Sequence, residues 1–430
     1  MSALRSRTRQ GRRSPGAAPS SGLLGATAVV SVAFLGANAL AYVFTVVAAR
    51  QLAPAAYGEL AALLSVLLVG SVPAAGLQTA AALHLGGRPG DERTMARLHA
   101  SSAFLAVGVC ALGLVLVPVL VAALHLPAAS AAVWLAALLL PHTLVQGYQG
   151  MLQGSGRYRQ LALVTLVLGA GKLVGGVAGL LLGGTTSAAL AGMAAAAVVA
   201  AVIGWLAVGR PGLGRGTRAP VTAALRAAGA LLGFTVLLNL DVLLARHHLP
   251  AAVTGEYAVA AIVTKVAFWL PQGVGVVLLP RLADAAGRRR ALPAALAAVG
   301  GLGAVLTLGT ALMGERALPL IGGAAYGGTL GSATWVFAAL GTLLALAQLL
   351  LFSGIAAADR LATVAVWSAA GLEAVVVALL ATTDRLTLLS LATTSVLTAA
   401  ALVATGLVRS RRDRAVPVLA PEGVVPAPTA

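Results

Sequence analysis

A handful of side chains in this sequence could do chemistry, and most of them interrupt runs that are otherwise apolar. Lys265 is followed by Trp269 and Gln272 at i+4 and i+7, which lays one polar stripe along one helical face, with Pro271 beside it to bend the helix. An ammonium in that position is a point-charge partner for an anionic group such as a phosphate; the plainer reading is that it snorkels outward or pairs with a carboxylate. Asp241 has Asn239 and Thr235 nearby on a different face. It either titrates in a proton- or sodium-coupled cycle or serves as a structural partner to Lys265 or Arg246. Arg50 and Arg246 end two matched apolar runs, as a basic rim for anionic head groups or as interfacial anchors. Lys172 lies within a glycine seam (Gly171, Gly175, Gly179) that admits a close helix, and its repeat counterpart falls within a few residues of Glu373. Asn38, Tyr42 and Thr45 share one face of the first run. His142, Gln146, Gln149 and Gln153 form a polar line on the fourth, as interhelical hydrogen-bond glue or as a ligand-facing stripe.

The elements that carry these groups follow from composition. Hydrophobic residues make up 59% of the chain and charged residues 10%, whereas a soluble domain carries about 25% charged residues. So few charges cannot cover a water-exposed surface, and most of the surface must face lipid. The net charge of +17 does not indicate nucleic acid, because the arginines stand in short clusters between apolar runs, the pattern that encodes membrane topology. The lone Cys110 forms no disulfide within the chain and reads as a small hydrophobe.

A helix needs about 20 apolar residues to cross a hydrocarbon core of ~30 Å. Twelve stretches qualify, near 23–49, 60–84, 98–124, 131–152, 161–182, 188–208, 227–246, 257–279, 292–313, 331–352, 362–381 and 388–408. Threading the arginines through them puts twenty-three on one side and only Arg50, Arg246, Arg316 and Arg385 on the other, with Lys172 and Lys265 inside the membrane. The positive-inside rule then places both termini in the cytoplasm of a multi-pass plasma-membrane protein. An ionisable group at mid-membrane costs about 2.5–3.5 kcal/mol on insertion scales, so each one requires a reason.

The chain also repeats itself. Ala49-Arg50, Leu52, Pro54, Tyr57 and Gly58 are echoed by Ala245-Arg246, Leu249, Pro250, Gly255 and Tyr257, about 196 residues later; Pro73 matches Pro271 and Arg157 matches Arg360. Six helices per half means that both halves enter from the same side, so the repeat is parallel. The expected organisation is a disordered basic cytoplasmic tail over 1–21, a six-helix bundle over 22–208, a Gly/Pro/Arg-rich cytoplasmic linker over 209–226, a second bundle over 227–408, and a disordered cytoplasmic tail over 409–430.

With these residues in view, the sequence resembles the polysaccharide exporters of the MOP superfamily, the Wzx-type oligosaccharide-lipid flippases. The likeness rests on A-R-x-L-x-P-x-x-Y-G after the first helix, on G-Y-Q-G-M-L-Q-G-S-G-R-Y-R (Gly147–Arg159), and on L-D-V-L-L-A-R-H-H-L…G-E-Y-A-V-A…K…L-P-Q-G…L-L-P-R-L (Leu240–Leu282). Gly322–Arg360 fits more loosely. The resemblance implies an all-α, MATE-like pair of six-helix bundles around a central cleft, with the cleft mainly between helices 1, 2, 7 and 8, working by alternating access. It implies a polyprenyl-pyrophosphate-linked glycan as cargo, moved from the inner to the outer leaflet, with other polysaccharide assembly proteins as partners and no cofactor. Lys265, Asp241, Arg50, Arg246, Asn38, Gln272 and Lys172 would line the pathway.

Two rivals were weighed. A MATE-like multidrug exporter would favour acidic cleft residues for cationic compounds, and Lys265, Arg50 and Arg246 point the other way. A membrane glycosyltransferase or polymerase needs clustered carboxylates for metal or acid–base work, whereas the acids of the outer loops (Glu59, Glu256, Glu315, Asp384) are isolated and there is no D-x-D pair. No P-loop motif is present either.

Overall fold

A computed structural model describes residues 21–86, 90–214, 218–271, 285–328, 330–356 and 359–415. Among them every regular element is a helix, as expected of backbone that must satisfy its own polar groups away from water. The helices are α1 (Ser21–Gln51), α2 (Pro54–Gly70), α3 (Val72–Leu85), α4 (Glu92–Val115), α5 (Val117–Ala123), α6 (Ala129–Gly154), α7 (Tyr158–Gly183) and α8 (Thr186–Val208). After the linker come α9 (Arg218–His248), α10 (Ala251–Trp269), α11 (Ala285–Met313), α12 (Ala317–Gly322), α13 (Thr334–Ala356), α14 (Arg360–Thr382) and α15 (Leu388–Ala415). They compose twelve stretches long and apolar enough to cross a membrane. Large side chains on the outside, such as Leu182 at 90% and Leu312 at 80% exposure, make a lipid-facing belt.

Proline sets the breaks. The second span is cut at Ser71 ahead of Pro73, and the third is cut at Leu116 ahead of Pro118. In the other half, α10 ends two residues before Pro271, and the ninth span ends in the short helix α12, which contains Pro319. Proline lacks an amide hydrogen and fits best in the first turn of a helix, so Pro73 and Pro118 open new segments, whereas Pro141 and Pro293 sit inside α6 and α11.

The two halves share one core at one end of the molecule and keep separate cores at the other. At the arginine-poor end, Phe44, Leu52, Tyr57, Leu124 and Leu126 pack in a single cluster with Val242, Tyr257, Leu318, Tyr326 and Phe337. Toward the arginine-rich end, Leu98, Val145, Tyr148 and Leu161 form a core of the first half, whereas Phe234, Leu292, Leu344 and Val366 form one of the second. Between the halves, α2 packs on α10 and α3 on α9. The repeat-equivalent glycines Gly58 and Gly255 sit at this crossing: a side chain on Gly58 would meet the Gly255 backbone, and one on Gly255 would run into the Pro54 carbonyl. Within the first half the expected glycine seam is used as read, since Gly175 and Gly179 press on Gly192 and Ala188 of α8.

Candidate functional site

The polar groups of the second half gather into one buried network. Tyr257 of α10 donates its hydroxyl to Asp241 Oδ2 of α9 at 3.1 Å, and the Val242 amide donates to Asp241 Oδ1 at 2.8 Å. Ser395 of α15 donates to Glu373 Oε1 of α14 at 2.7 Å. Asp241, Tyr257, Glu373 and Ser395 are all buried. Asp241 and Tyr257 thus tie α9 to α10, and Glu373 and Ser395 tie α14 to α15. Buried acids demand such donors, because an unpaired charge in an apolar interior is expensive.

Lys265 stands beside this network rather than within it. Its charge is felt by Asp241, but no ion pair joins the two within 4.0 Å. From the first half, Tyr42 of α1 reaches across to donate to the Lys265 carbonyl at 3.2 Å, and the Phe34 ring lies 6.2 Å from that of Trp269. Tyr42 of the α1 stripe thus meets the backbone of α10 at Lys265. Asn38 is half-buried on that face and donates back to the Phe34 carbonyl of its own helix. Gln272 lies outside the described residues.

In the first half, Lys172 is half-buried on α7 within electrostatic reach of His142 on α6. His142 Nδ1 and Thr143 Oγ1 are buried with no hydrogen-bond partner among the described residues. Lys172 and Glu373 do not pair, since Glu373 is engaged by Ser395. The polar line on α6 is largely glue: Gln149 donates to Thr165 Oγ1 at 3.0 Å, and Gln153 accepts from Gln78 at 3.4 Å.

The two outer arginines are spent on helix ends. Arg50 donates to the carbonyls of Leu320 and Ile321, at 2.6 and 3.1 Å. Arg246, buried, donates to the carbonyls of Leu124, His125 and Ala55, at 2.8, 3.2 and 3.4 Å. Glu59 is its charged neighbour. Asp241 and Lys265 were legible in the sequence as polar groups within apolar runs. Tyr257 was legible only as a repeat position and Ser395 not at all, because neither hydroxyl reads as a partner until the fold brings it to an acid.

No protein-family model matches the chain, and no curated protein sequence does. Solved structures do. An inward-facing multidrug-resistance MATE-family transporter of the MOP superfamily superposes with a TM-score of 0.66 at 13% identity, over 87% of this chain and 95% of its own. The fold is MATE-like. An outward-facing MATE transporter of the same superfamily gives 0.59 at 15% identity, over 91% and 96% of the two chains. A MOP-superfamily transporter from Pyrococcus furiosus, described as having a binding pocket of reverse polarity that suggests a different function, gives 0.54 at 12% identity, over 91% and 96%.

The likeness is one of fold: an all-α, MATE-like arrangement whose twelve long apolar stretches could each cross a membrane. It also corrects the expected cargo. Two of the structures that share this fold along the chain are described as multidrug-resistance MATE transporters, which overturns the Wzx-type reading with its glycan-lipid cargo and favours the alternative of multidrug export. The physical reason lies in the blocks that carried the resemblance. Ala49–Gly58 and its echo are helix junctions, in which an arginine caps carbonyls, a proline starts a helix and a glycine permits a crossing. Such residues specify the MATE-like architecture and say little about a head group.

Proposed function

We propose that the protein exports amphiphilic small molecules by alternating access, with the bundles over 22–208 and 227–408 rocking about the crossing of α2 and α10 and the segment over 209–226 joining them. The observation that carries this reading is the MATE-like fold, which matches transporters described in inward- and outward-facing states over about nine tenths of the chain. The shared core at one end and the split cores at the other suit a cleft closed at the arginine-poor end. With the arginine-rich loops in the cytoplasm, that end faces outward.

In this reading Asp241 and Glu373 are the coupling element. Two buried carboxylates, each held by a hydroxyl of a neighbouring span, can exchange a proton or hold a small cation, and the change in charge alters how those spans pack. Lys265, Asn38 and Tyr42 line the passage between α1 and α10, while Lys172 lines it from the first half. The pathway thereby carries groups of both signs, which supports amphiphilic cargo selected by shape and apolar surface rather than by one charge.

Transport in proteoliposomes tests this reading. The purified protein should move a lipophilic cationic dye such as ethidium against its gradient when a proton or sodium gradient is imposed. Asp241→Asn and Glu373→Gln should each abolish the coupled movement in folded protein. Wild-type vesicles that behave like protein-free ones toward a panel of cationic, neutral and anionic amphiphiles would sink the proposal.

A further inference from the structure

The spacing of 196 residues that separates Arg50 from Arg246 also separates Leu124 from Leu320 and His125 from Ile321. These are the carbonyls that the two arginines hold. Arg50, in the first half, grips Leu320 and Ile321 at the end of α12 in the second. Arg246, in the second half, grips Leu124 and His125 just beyond α5 in the first. The same interaction is made twice, each copy crossing from one half to the other. The chemistry suits the task, because the last carbonyls of a helix lack intrahelical donors and carry partial negative charge, and a guanidinium presents several donors in a fixed fork.

From this symmetry we infer that Arg50 and Arg246 form a reciprocal latch that holds the arginine-poor face shut and must release before the cleft opens on that side. Two neighbours reinforce the second copy: His247 Nδ1 lies 2.7 Å from the Ala123 carbonyl, and the His247 ring stacks on His125 at 5.6 Å. The copies are unequal in environment. Arg50 is exposed, so water replaces its acceptors when it lets go; Arg246 is buried, so its release leaves carbonyls and guanidinium unpaired. Arg246 is therefore the stronger bolt. The inference rests on the alternating-access reading but not on any cargo.

Electron-spin distance measurements on the full chain in lipid test it without transport. Cys110→Ser removes the native thiol, and spin labels on Ala128→Cys and Thr383→Cys, exposed at the arginine-poor end of each half, report its opening. The parent should show mainly one short distance. Arg246→Ala should raise the ratio of long to short distance about tenfold, and Arg50→Ala, being exposed, about threefold. Arg246→Lys keeps the charge but loses the fork, should fall between parent and Arg246→Ala, and with Arg50→Ala carries the test if Arg246→Ala does not fold. Unchanged distances in these variants overturn the latch, as does a loss of thermal stability with no shift in distance, which would assign the arginines to packing alone. Shifted distances in a protein that moves no amphiphile would keep the latch and reject the cargo.

Discussion

Among the described residues, the phenol of Tyr257 donates to Asp241 from another helix, at 3.1 Å in a buried setting. Removing it by Tyr257→Phe leaves a carboxylate oxygen unsatisfied, a loss of about 1–3 kcal/mol. Thermal unfolding in detergent should show this destabilisation, and Asp241→Asn in the same background should recover part of it, because the amide can use the remaining partners. A Tyr257→Phe protein as stable as wild type would mean that the network contributes nothing. At this scale the sequence was half legible. An aspartate or lysine in an apolar run stands out by its cost, whereas Ser395, within the polar run Thr393–Ser395, looks like any hydroxyl that bonds its own helix. The arginines were legible as a matched pair, with a rim for anions and interfacial anchoring as the two readings, but only the fold brings the ends of α5 and α12 within their reach.

Helix ends and crossings decide the next level. Gly255 meets the Pro54 backbone, and no side chain fits between them. Gly255→Ala should force α2 and α10 apart and cost about 1–3 kcal/mol through overpacking, read as a lowered unfolding temperature; an unaffected variant would show that the crossing is loose. At the start of α4, outside the membrane, Asp91 Oδ1 accepts from the Thr94 amide at 2.9 Å. The Thr94 hydroxyl and amide, with smaller help from Arg93 and Arg97, hold the Asp91 carboxyl below its ordinary range. A depressed carboxylate stabilises the fold above its unfolded pKa and loses that contribution as pH falls through the folded value. Exchange of the Thr94 amide should therefore be slow near neutral pH and lose its extra protection in acid, and Asp91→Ala should erase that acid dependence. The twelve spans were legible because each needs only length and apolarity. The breaks near Pro118 and Pro319 were not read, since the spans near 98–124 and 292–313 look uninterrupted, and the pattern gives no sign that short helices there end beside an arginine of the other half.

At the scale of the molecule, duplication explains most of what the sequence allowed. A repeat of about 196 residues with six spans per copy dictates two like-oriented bundles, and the MATE-like superposition agrees. Cargo was not legible, because the repeated junctions serve folding and the lining residues are few. The central claim is that the halves exchange access around the Asp241–Glu373 network. Its most direct test combines two spin-label pairs in the Cys110→Ser protein: Ala128→Cys with Thr383→Cys at one end, and Arg159→Cys with Arg360→Cys at the other. Neutralising the acids with Asp241→Asn and Glu373→Gln should change the two distances in opposite directions, one end closing as the other opens. Distances that both stay fixed, or that lengthen together, would contradict the account.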